Sequence, residues 1–142
     1  ESPRYSGLTS ALGIRLPTRA MSTTAHDSNC IFCKIVAGQI PSRRVYEDEE
    51  LLAFHDIHPW APVHFLIVPK THIESMAQVG PEHQGLLGRL LALAPRLALE
   101  QGCNPYPEGG FRVVINTGAE GGQEVPHLHV HVIGGPRPWL KG

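Results

Sequence analysis

The chain has 142 residues, of which 42% are hydrophobic, and its formal net charge is −1. This length fits one domain with its own core and is short for two. The near-neutral charge provides no basic surplus for a nucleic-acid groove, and no apolar run approaches the roughly 18 residues that a membrane span requires. We therefore expect neither a nucleic-acid partner nor a membrane partner.

The first twenty residues differ from the rest of the chain. They carry three arginines, one acidic residue and scattered apolar residues, and Met21 follows them. We interpret residues 1–20 as an upstream or artificial leader outside the fold, and residues 21–142 as a single domain. Because the segment bears arginine and is poor in acids, a transit peptide is the alternative.

The cysteine count does not suggest a secreted protein. Two of the three cysteines form the pair Cys30-x-x-Cys33, and Cys103 stands apart near a predicted helix end. Such a set is not a disulfide framework, so we expect a reducing, cytoplasmic setting.

The first half of the domain predicts one short helix and three strands. Residues 30–38 have helical apolar spacing and end at a glycine. Residues 45–46 and 51–54 are typical of strands, and the acidic stretch between them indicates a hairpin turn. Residues 63–70 are rich in β-branched and aromatic residues and predict a buried strand.

The second half predicts one long helix and two strands. The helix covers 81–101, with a proline in its first turn, a kink at Pro95 and a glycine after its end. Residues 111–116 and 127–133 predict strands, and the glycine-rich stretch 117–124 lies between them. The order of elements favours an α+β fold with an antiparallel sheet.

Three histidines at two-residue spacing define the last predicted strand. Successive side chains of a strand point to opposite faces, so His127, His129 and His131 are expected on one accessible face and the aliphatic residues between them in the core. A plain polar strand face is the alternative. Gly121 and Gly122 could bring backbone N–H groups close to an anion, and a histidine can attack phosphorus. Together these features indicate phosphate chemistry.

At this point the chain resembles a known family. The stretch HLHVHVI matches the signature of the histidine triad (HIT) superfamily of nucleotide hydrolases and transferases. The stretches from IFCKIVAGQIPS to LIVPKTHI and from FRVVINTG to HVIGG resemble the histidine triad nucleotide-binding protein branch, in its bacterial form. The resemblance implies a HIT-like α+β fold: a five-stranded antiparallel sheet with one long and one short helix, continued across a homodimer.

The resemblance also implies roles for individual residues. His129 matches the nucleophile that takes up the nucleoside monophosphate, His127 and His131 match the flanking members of the triad, and His64 matches a fourth histidine beside them. Asp56 matches the carboxylate that bonds the ribose hydroxyls. Two further sets of residues match the family's nucleotide-binding residues. The apolar slot for the purine corresponds to Phe32, Ile35, Phe54 and Ile57. The loop around the phosphate corresponds to Asn116, Gly122, Gln123 and Val125.

Two residues depart from the family pattern. Glu124 stands where many eukaryotic members have a serine whose hydroxyl lies near the phosphate, and a glutamate is similar to bacterial members. Pro126 replaces the more usual aromatic residue before the triad, and a proline is tolerated at the first residue of a strand.

The Cys-x-x-Cys pair has the spacing of zinc ligands. Because some superfamily members hold a structural zinc with two cysteines and two histidines, the resemblance suggests Cys30, Cys33, His64 and His127 as a possible site. An unmetallated thiol pair remains open, and a redox pair is less favoured because no thioredoxin-like βαβ pattern surrounds it. No other cofactor is required.

The resulting hypothesis is a purine nucleoside phosphoramidase that cleaves AMP-linked P–N bonds through a nucleotidyl-histidine. Alternatives are a dinucleoside polyphosphate hydrolase using the same histidines, and a nucleotide-binding adaptor with residual activity. A purine nucleotide and a second copy of the chain are the expected partners. The resemblance also implies that the tail around Trp139 reaches towards the partner's site.

Overall fold

The structure, a computed structural model, describes residues 25–140. Its five strands form one antiparallel sheet with the spatial order β1-β2-β3-β5-β4. The strands are β1 (Arg44–Glu47), β2 (Leu51–His55), β3 (Val63–Pro69), β4 (Phe111–Val114) and β5 (Val130–Gly134). The predicted α+β class and five-stranded sheet are confirmed.

Two α-helices accompany the sheet. The short helix α1 covers Ile31–Val36, and the long helix α2 covers Gln84–Glu100 and includes Pro95. The first turn of the predicted long helix, Pro81–His83, is a 3₁₀ helix, so the α-helix begins three residues later than the sequence indicates. Over residues 25–140, no helix combines the length and the apolar character needed to cross a membrane.

The sheet is covered on both faces, by a different helix on each. On one face, α2 packs its buried residues, among them Leu90 and Leu97, against Phe65 and Val132. On the other face, α1 belongs to a second apolar cluster, whose members include Phe32, Ile35, Phe54, Leu66 and Val68. Every residue of β3 and β5 is buried as a result.

The last predicted strand begins later than the sequence indicates. The prediction was 127–133, whereas β5 begins at Val130, so His127 and His129 precede the strand and only His131 lies in it. The N–H of His127 bonds to the carbonyl of Val125 in a tight turn, and the N–H of Leu128 bonds to Ile73 outside the ladder. Pro126 has no N–H to offer a ladder. β4 also ends earlier than predicted, at Val114.

The expectation that the imidazole face is accessible is wrong. The exposed fractions of His127, His129 and His131 are 0%, 6% and 2%. In the register of β3 and β5, His131 lies opposite Leu66, which belongs to the α1 cluster. The helix α1 and the loops around it therefore cover the histidine face, which a single strand pattern could not reveal.

Candidate active site

The middle histidine of the triad is held in one tautomer. The Nδ1 atom of His129 lies 2.7 Å from the backbone oxygen of His127. A carbonyl oxygen can only accept a hydrogen bond, so Nδ1 carries the proton. In the neutral ring, Nε2 then carries the lone pair that a nucleophile needs. The turn before β5 creates this contact, because it brings the side chain of His129 next to the backbone oxygen of His127.

A chain of hydrogen bonds orients the third histidine. The backbone N–H of Trp60 donates to Nδ1 of His64 at 2.9 Å, so the proton of the neutral His64 ring is on Nε2. That atom lies 2.9 Å from Nδ1 of His131 and 3.5 Å from Oδ2 of Asp56. With Nδ1 accepting from His64, the neutral His131 ring carries its own proton on Nε2. His131 can therefore donate a hydrogen bond from that atom.

Two of the triad histidines open onto a cavity of about 310 Å³. This volume lies at the lower end of the range for small-molecule sites. The predicted residues Phe32, Asn116, Gly122, Val125, His129 and His131 line it, together with Trp60, Gly121 and Glu124. The sequence stretch from β4 to β5 and the loop between β2 and β3 thus meet at one opening.

Two neighbouring glycines of the loop are needed for different reasons, close packing at Gly121 and backbone conformation at Gly122. A Cβ atom at Gly121 would lie 2.2 Å from the carbonyl oxygen of Thr117, and Gly122 has a φ of +81°. The loop is braced by Gln123, whose side-chain amide bonds to Gly118, Glu74 and Val125. Gln123 was predicted to contact the phosphate, but in the structure its amide supports the loop from behind, and it is not a lining residue.

Four other residues that were predicted to bind the nucleotide are not among those that line the cavity. Ile35 and Phe54 are buried in the α1 cluster, where the Phe54 ring contacts Phe32 with ring centroids 5.5 Å apart. Ile57 is 56% exposed. Asp56 is buried, and its Oδ1 accepts the N–H of His58 at 2.8 Å. Phe32 is therefore the aromatic residue through which the α1 cluster reaches the cavity.

A second cluster of chemistry-bearing side chains lies beside the triad. It consists of Cys30, Cys33, His72 and His127, whose candidate ligand atoms are all within 4.8 Å of one another. The predicted set contained His64 in place of His72, and this prediction is wrong. His64 is engaged with His131 and Trp60, whereas Nδ1 of His72 lies 3.4 Å from the Sγ atom of Cys33.

The first triad histidine faces this cysteine cluster and is not a lining residue of the cavity. Nε2 of His127 lies 2.8 Å from the carbonyl oxygen of Pro69, so it carries the proton and Nδ1 has the lone pair. Nδ1 lies 3.2 Å from Sγ of Cys30 and 3.6 Å from Sγ of Cys33. The hydrogen bond of His127 to the nucleophile comes from its backbone oxygen.

The two thiols share their protons unequally. A hydrogen bond from Cys30 lowers the pKa of Cys33, and the same thiol–thiol bond raises the pKa of Cys30. All three cysteines, Cys103 included, are free. A thiolate beside two imidazole nitrogens is a donor set that suits a soft divalent cation.

The sequence reading missed two residues of the site region. His72 had a signal, because it follows strand β3 directly and so returns to the end of the sheet where His127 lies. Trp60 had none beyond its position between two prolines. Its ring stacks on His131, with centroids 4.8 Å apart and an interplanar angle of 20°.

Comparison with known proteins finds chains that are similar in sequence. The profile of the HIT domain family matches residues 37–137. Protein HitA of Neisseria gonorrhoeae is 51% identical over 108 residues, which cover 76% of this chain and 97% of that protein. Purine nucleoside phosphoramidase of Escherichia coli K12 is 44% identical over 105 residues, which cover 74% of this chain and 86% of that protein.

Solved structures show the same similarity. A HIT family hydrolase from Legionella pneumophila has a TM-score of 0.72 and 45% identity, and the match covers 77% of this chain and 95% of that one. A histidine triad protein from Clostridium difficile has a TM-score of 0.71 and 43% identity, with 77% and 92% covered.

Proposed function

Because this chain belongs to the HIT domain family, we propose that it hydrolyses the P–N bond of purine nucleoside 5′-phosphoramidates. The observation that carries the proposal is the fixed tautomer of His129, which puts the lone pair of a ring that lines the cavity on Nε2. A relative at 44% identity is named purine nucleoside phosphoramidase, in agreement with this assignment.

The reaction proceeds in two displacements at phosphorus. Nε2 of His129 attacks, the P–N bond breaks, and the amine leaves with a proton taken from solvent. Water then attacks phosphorus, the bond to His129 breaks, and the proton of the water returns to solvent. The sum is one water consumed, with one amine and one nucleoside monophosphate released. The His127 carbonyl stabilises the positive charge that the His129 ring carries in the intermediate.

Two residues that line the cavity supply the donors for the phosphoryl oxygens in this proposal. They are His131, through Nε2–H, and Asn116, through its side-chain amide. The backbone N–H groups of Gly121 and Gly122, which the sequence indicates as anion donors, instead bond to the carbonyls of Gly118 and Ala119. Preorganised donors of this kind act on charge that develops at the transition state. The nucleoside lies on the side of Phe32, whose ring contacts His129 edge-on with centroids 5.2 Å apart.

The charge of the cavity favours a phosphoramidate over a dinucleoside polyphosphate. Among residues 25–140, no lysine or arginine lines it, and Glu124 adds a carboxylate. A substrate with several phosphates needs cationic neutralisation, whereas one phosphoryl group can be held by amides and an imidazole. We therefore place polyphosphate hydrolysis second.

The direct test compares two substrates and one variant. Wild-type protein should turn over an adenosine 5′-phosphoramidate faster than diadenosine triphosphate, and His129→Ala should lower the phosphoramidate rate by about 10³-fold or more. A faster rate with the triphosphate would favour the second function. No turnover of either, with AMP still bound, would favour the nucleotide-binding adaptor.

We further propose that a structural zinc ion can occupy the cysteine cluster. Zinc bonds of about 2.0–2.3 Å in a tetrahedron separate the ligand atoms by about 3.3–3.8 Å. Four of the contacts in the cluster measure 3.2–3.6 Å. The bond from His127 to Pro69 supplies the second hydrogen bond that orients a histidine ligand. Bound there, zinc would cross-link α1 to the segments around His72 and His127.

We also propose a homodimer in the cytoplasm. The strand β4 is at the edge of the sheet and exposes Phe111 and Val113, while α2 exposes Leu91. An apolar edge strand is a template for pairing with a second copy. Free thiols in all three cysteines support a reducing compartment. Sedimentation should give twice the 15.5 kDa mass of the chain. Val113→Glu should shift the measured mass towards that of a single chain.

A further inference from the structure

The helix α1 contributes side chains to two sites. Its N-cap is Cys30, and its first turn contains Phe32 and Cys33. The two thiols belong to the cysteine cluster, whereas Phe32 lines the cavity. With six residues, α1 is much shorter than the roughly 12 residues that an isolated helix needs, so its position depends on the contacts that its side chains make. The contacts of the thiols therefore help to fix the position of Phe32.

The thiols join α1 to two distant segments of the chain. Sγ of Cys33 lies 3.4 Å from Nδ1 of His72, which follows β3, and it accepts the N–H of Asp27 at 3.4 Å. Sγ of Cys30 lies 3.2 Å from Nδ1 of His127, which precedes β5. Sulfur is a weak partner in hydrogen bonds, so these contacts alone hold the segments loosely. Bonds of about 2.0–2.3 Å from a zinc ion to the same side chains would hold them tightly.

The ring of Phe32 lies between the cysteine cluster and the nucleophile. It contacts His127 of the cluster edge-on with centroids 5.9 Å apart, and it contacts His129 with centroids 5.2 Å apart. Phe54 packs on the same ring at 5.5 Å, and only 1% of Phe32 is exposed. Because protein interiors are close-packed, a shift of the cluster moves this ring and with it one wall of the cavity.

We propose that the cysteine cluster, when it holds zinc, fixes Phe32 against the cavity, so that metal binding and nucleotide binding strengthen each other. Cys30, Cys33 and His72 are then positioning residues for the nucleotide, although none of them lines the cavity. This inference rests on the proposed function, which places the nucleoside beside Phe32, and on the proposed zinc ion. Coupling between two sites is reciprocal, so the nucleotide must tighten zinc binding by the same factor by which zinc tightens nucleotide binding.

The test measures the Kd of AMP for zinc-loaded and metal-free wild-type protein by titration calorimetry, below the melting temperature of both. The Kd should be about 5- to 10-fold higher without the metal, the size of one aromatic contact. The method separates positioning from stability, because unfolded chains lower the stoichiometry and a displaced Phe32 raises the Kd. His72→Ala should have the metal-free Kd whether or not zinc is added. Cys103→Ser removes a buried thiol outside the cluster and should keep the full dependence on zinc.

A pair of variants on α1 tests whether the coupling runs through the aromatic ring. Phe32→Leu should bind AMP with the same Kd in the zinc-loaded and metal-free forms, while it still binds zinc. Ile35→Val is the matched control, since Ile35 is buried on the same helix and does not line the cavity, and it should keep the dependence on zinc. If Phe32→Leu does not fold, the reciprocal measurement decides. Saturating AMP should then tighten zinc binding to wild-type protein by about 5- to 10-fold in competition with a chelator.

The outcomes separate this inference from the proposed function. Equal AMP affinities with and without zinc, a zinc dependence that survives in Phe32→Leu, or the absence of zinc from zinc-replete protein would each overturn the inference and leave the hydrolysis of phosphoramidates untouched. If AMP affinity depends on zinc but no phosphoramidate is hydrolysed, the proposed hydrolysis is wrong and the inference holds for a nucleotide-binding protein. If neither form of the protein binds AMP, both are overturned.

Discussion

The backbone oxygen of His127 accepts the Nδ1 proton of His129 at 2.7 Å, while the ring of His127 is directed into the cysteine cluster. The main chain of His127 thus orients the nucleophile, whereas its side chain belongs to the cysteine cluster. Two of the three imidazoles face the cavity, and the third belongs to a different cluster.

This division predicts unequal effects of two substitutions. His127→Ala keeps the carbonyl that fixes the tautomer of His129, so kcat of the folded protein should fall by less than about tenfold, against about 10³-fold for His129→Ala. Because the His127 ring is buried, its removal should instead cost about 2 kcal/mol or more of unfolding free energy. Steady-state rates and urea unfolding measure the two effects. Equal loss of kcat in both variants would place the His127 ring in the reaction.

The bond between His64 and His131 predicts a positioning role for His64. Without the Nε2–H of His64, the His131 ring can place its proton on Nδ1 and lose the donor that faces the cavity. His64→Leu should therefore lower kcat by about 10²-fold, with a smaller change in KM.

His64→Gln is the matched control, because an amide can accept from Trp60 and donate to His131. It should recover most of the loss in kcat. Equal activities of His64→Leu and His64→Gln would show that packing, and not the hydrogen bond, is what His64 supplies.

The metal cluster predicts which histidine controls zinc content. Protein expressed with zinc should carry about one equivalent, and His72→Ala and Cys30→Ser should each lose it, since a structural site needs four ligands. His64→Ala and Cys103→Ser should keep it, because neither residue belongs to the cluster. Atomic absorption on purified variants measures this.

Removal of the metal should destabilise the fold. A chelator should lower the melting temperature of wild-type protein and leave Cys30→Ser unchanged, since zinc binding energy becomes folding energy. If zinc-replete wild-type protein contains no zinc, the cluster is an unmetallated thiol pair.

The glycine loop predicts a difference between neighbouring positions. In Gly121→Ala the new Cβ would meet the backbone of Thr117, so the loop must shift, whereas in Gly122→Ala the space is open and only the positive φ is strained. Gly122→Ala should cost about 1 kcal/mol of stability. Gly121→Ala should additionally raise KM for the phosphoramidate, because Gly121 lines the cavity and the loop must move there. An unchanged KM in Gly121→Ala would show that this loop does not contact the substrate.

Much of the fold was accessible from local patterns. Strand-like residue patterns predicted all five strands, and a proline in the first turn and a glycine after residue 101 indicated the limits of the long helix. The strand boundaries were harder to predict. Nothing in the local pattern of His127 and His129 shows that their backbone lies in a turn and not in the ladder of the sheet. The site residues of the glycine loop followed from the family motif, whereas the bracing role of Gln123 required the positions of Glu74 and Gly118.

The sequence by itself determined the row of three histidines, the glycine loop and the zinc-like cysteine spacing, because each is a short-range pattern with its own chemistry. The family resemblance added which histidine is the nucleophile. Only the tertiary structure decided which histidine joins which group. His64 lies in strand β3 and His72 follows that strand, and either could have faced the cysteines. The register Leu66 to His131 places His64 near His131, while the segment after Pro69 returns His72 to Cys33. Sheet register and packing determine which side chains of distant segments come together, and the spacing of residues along the chain specifies neither of them.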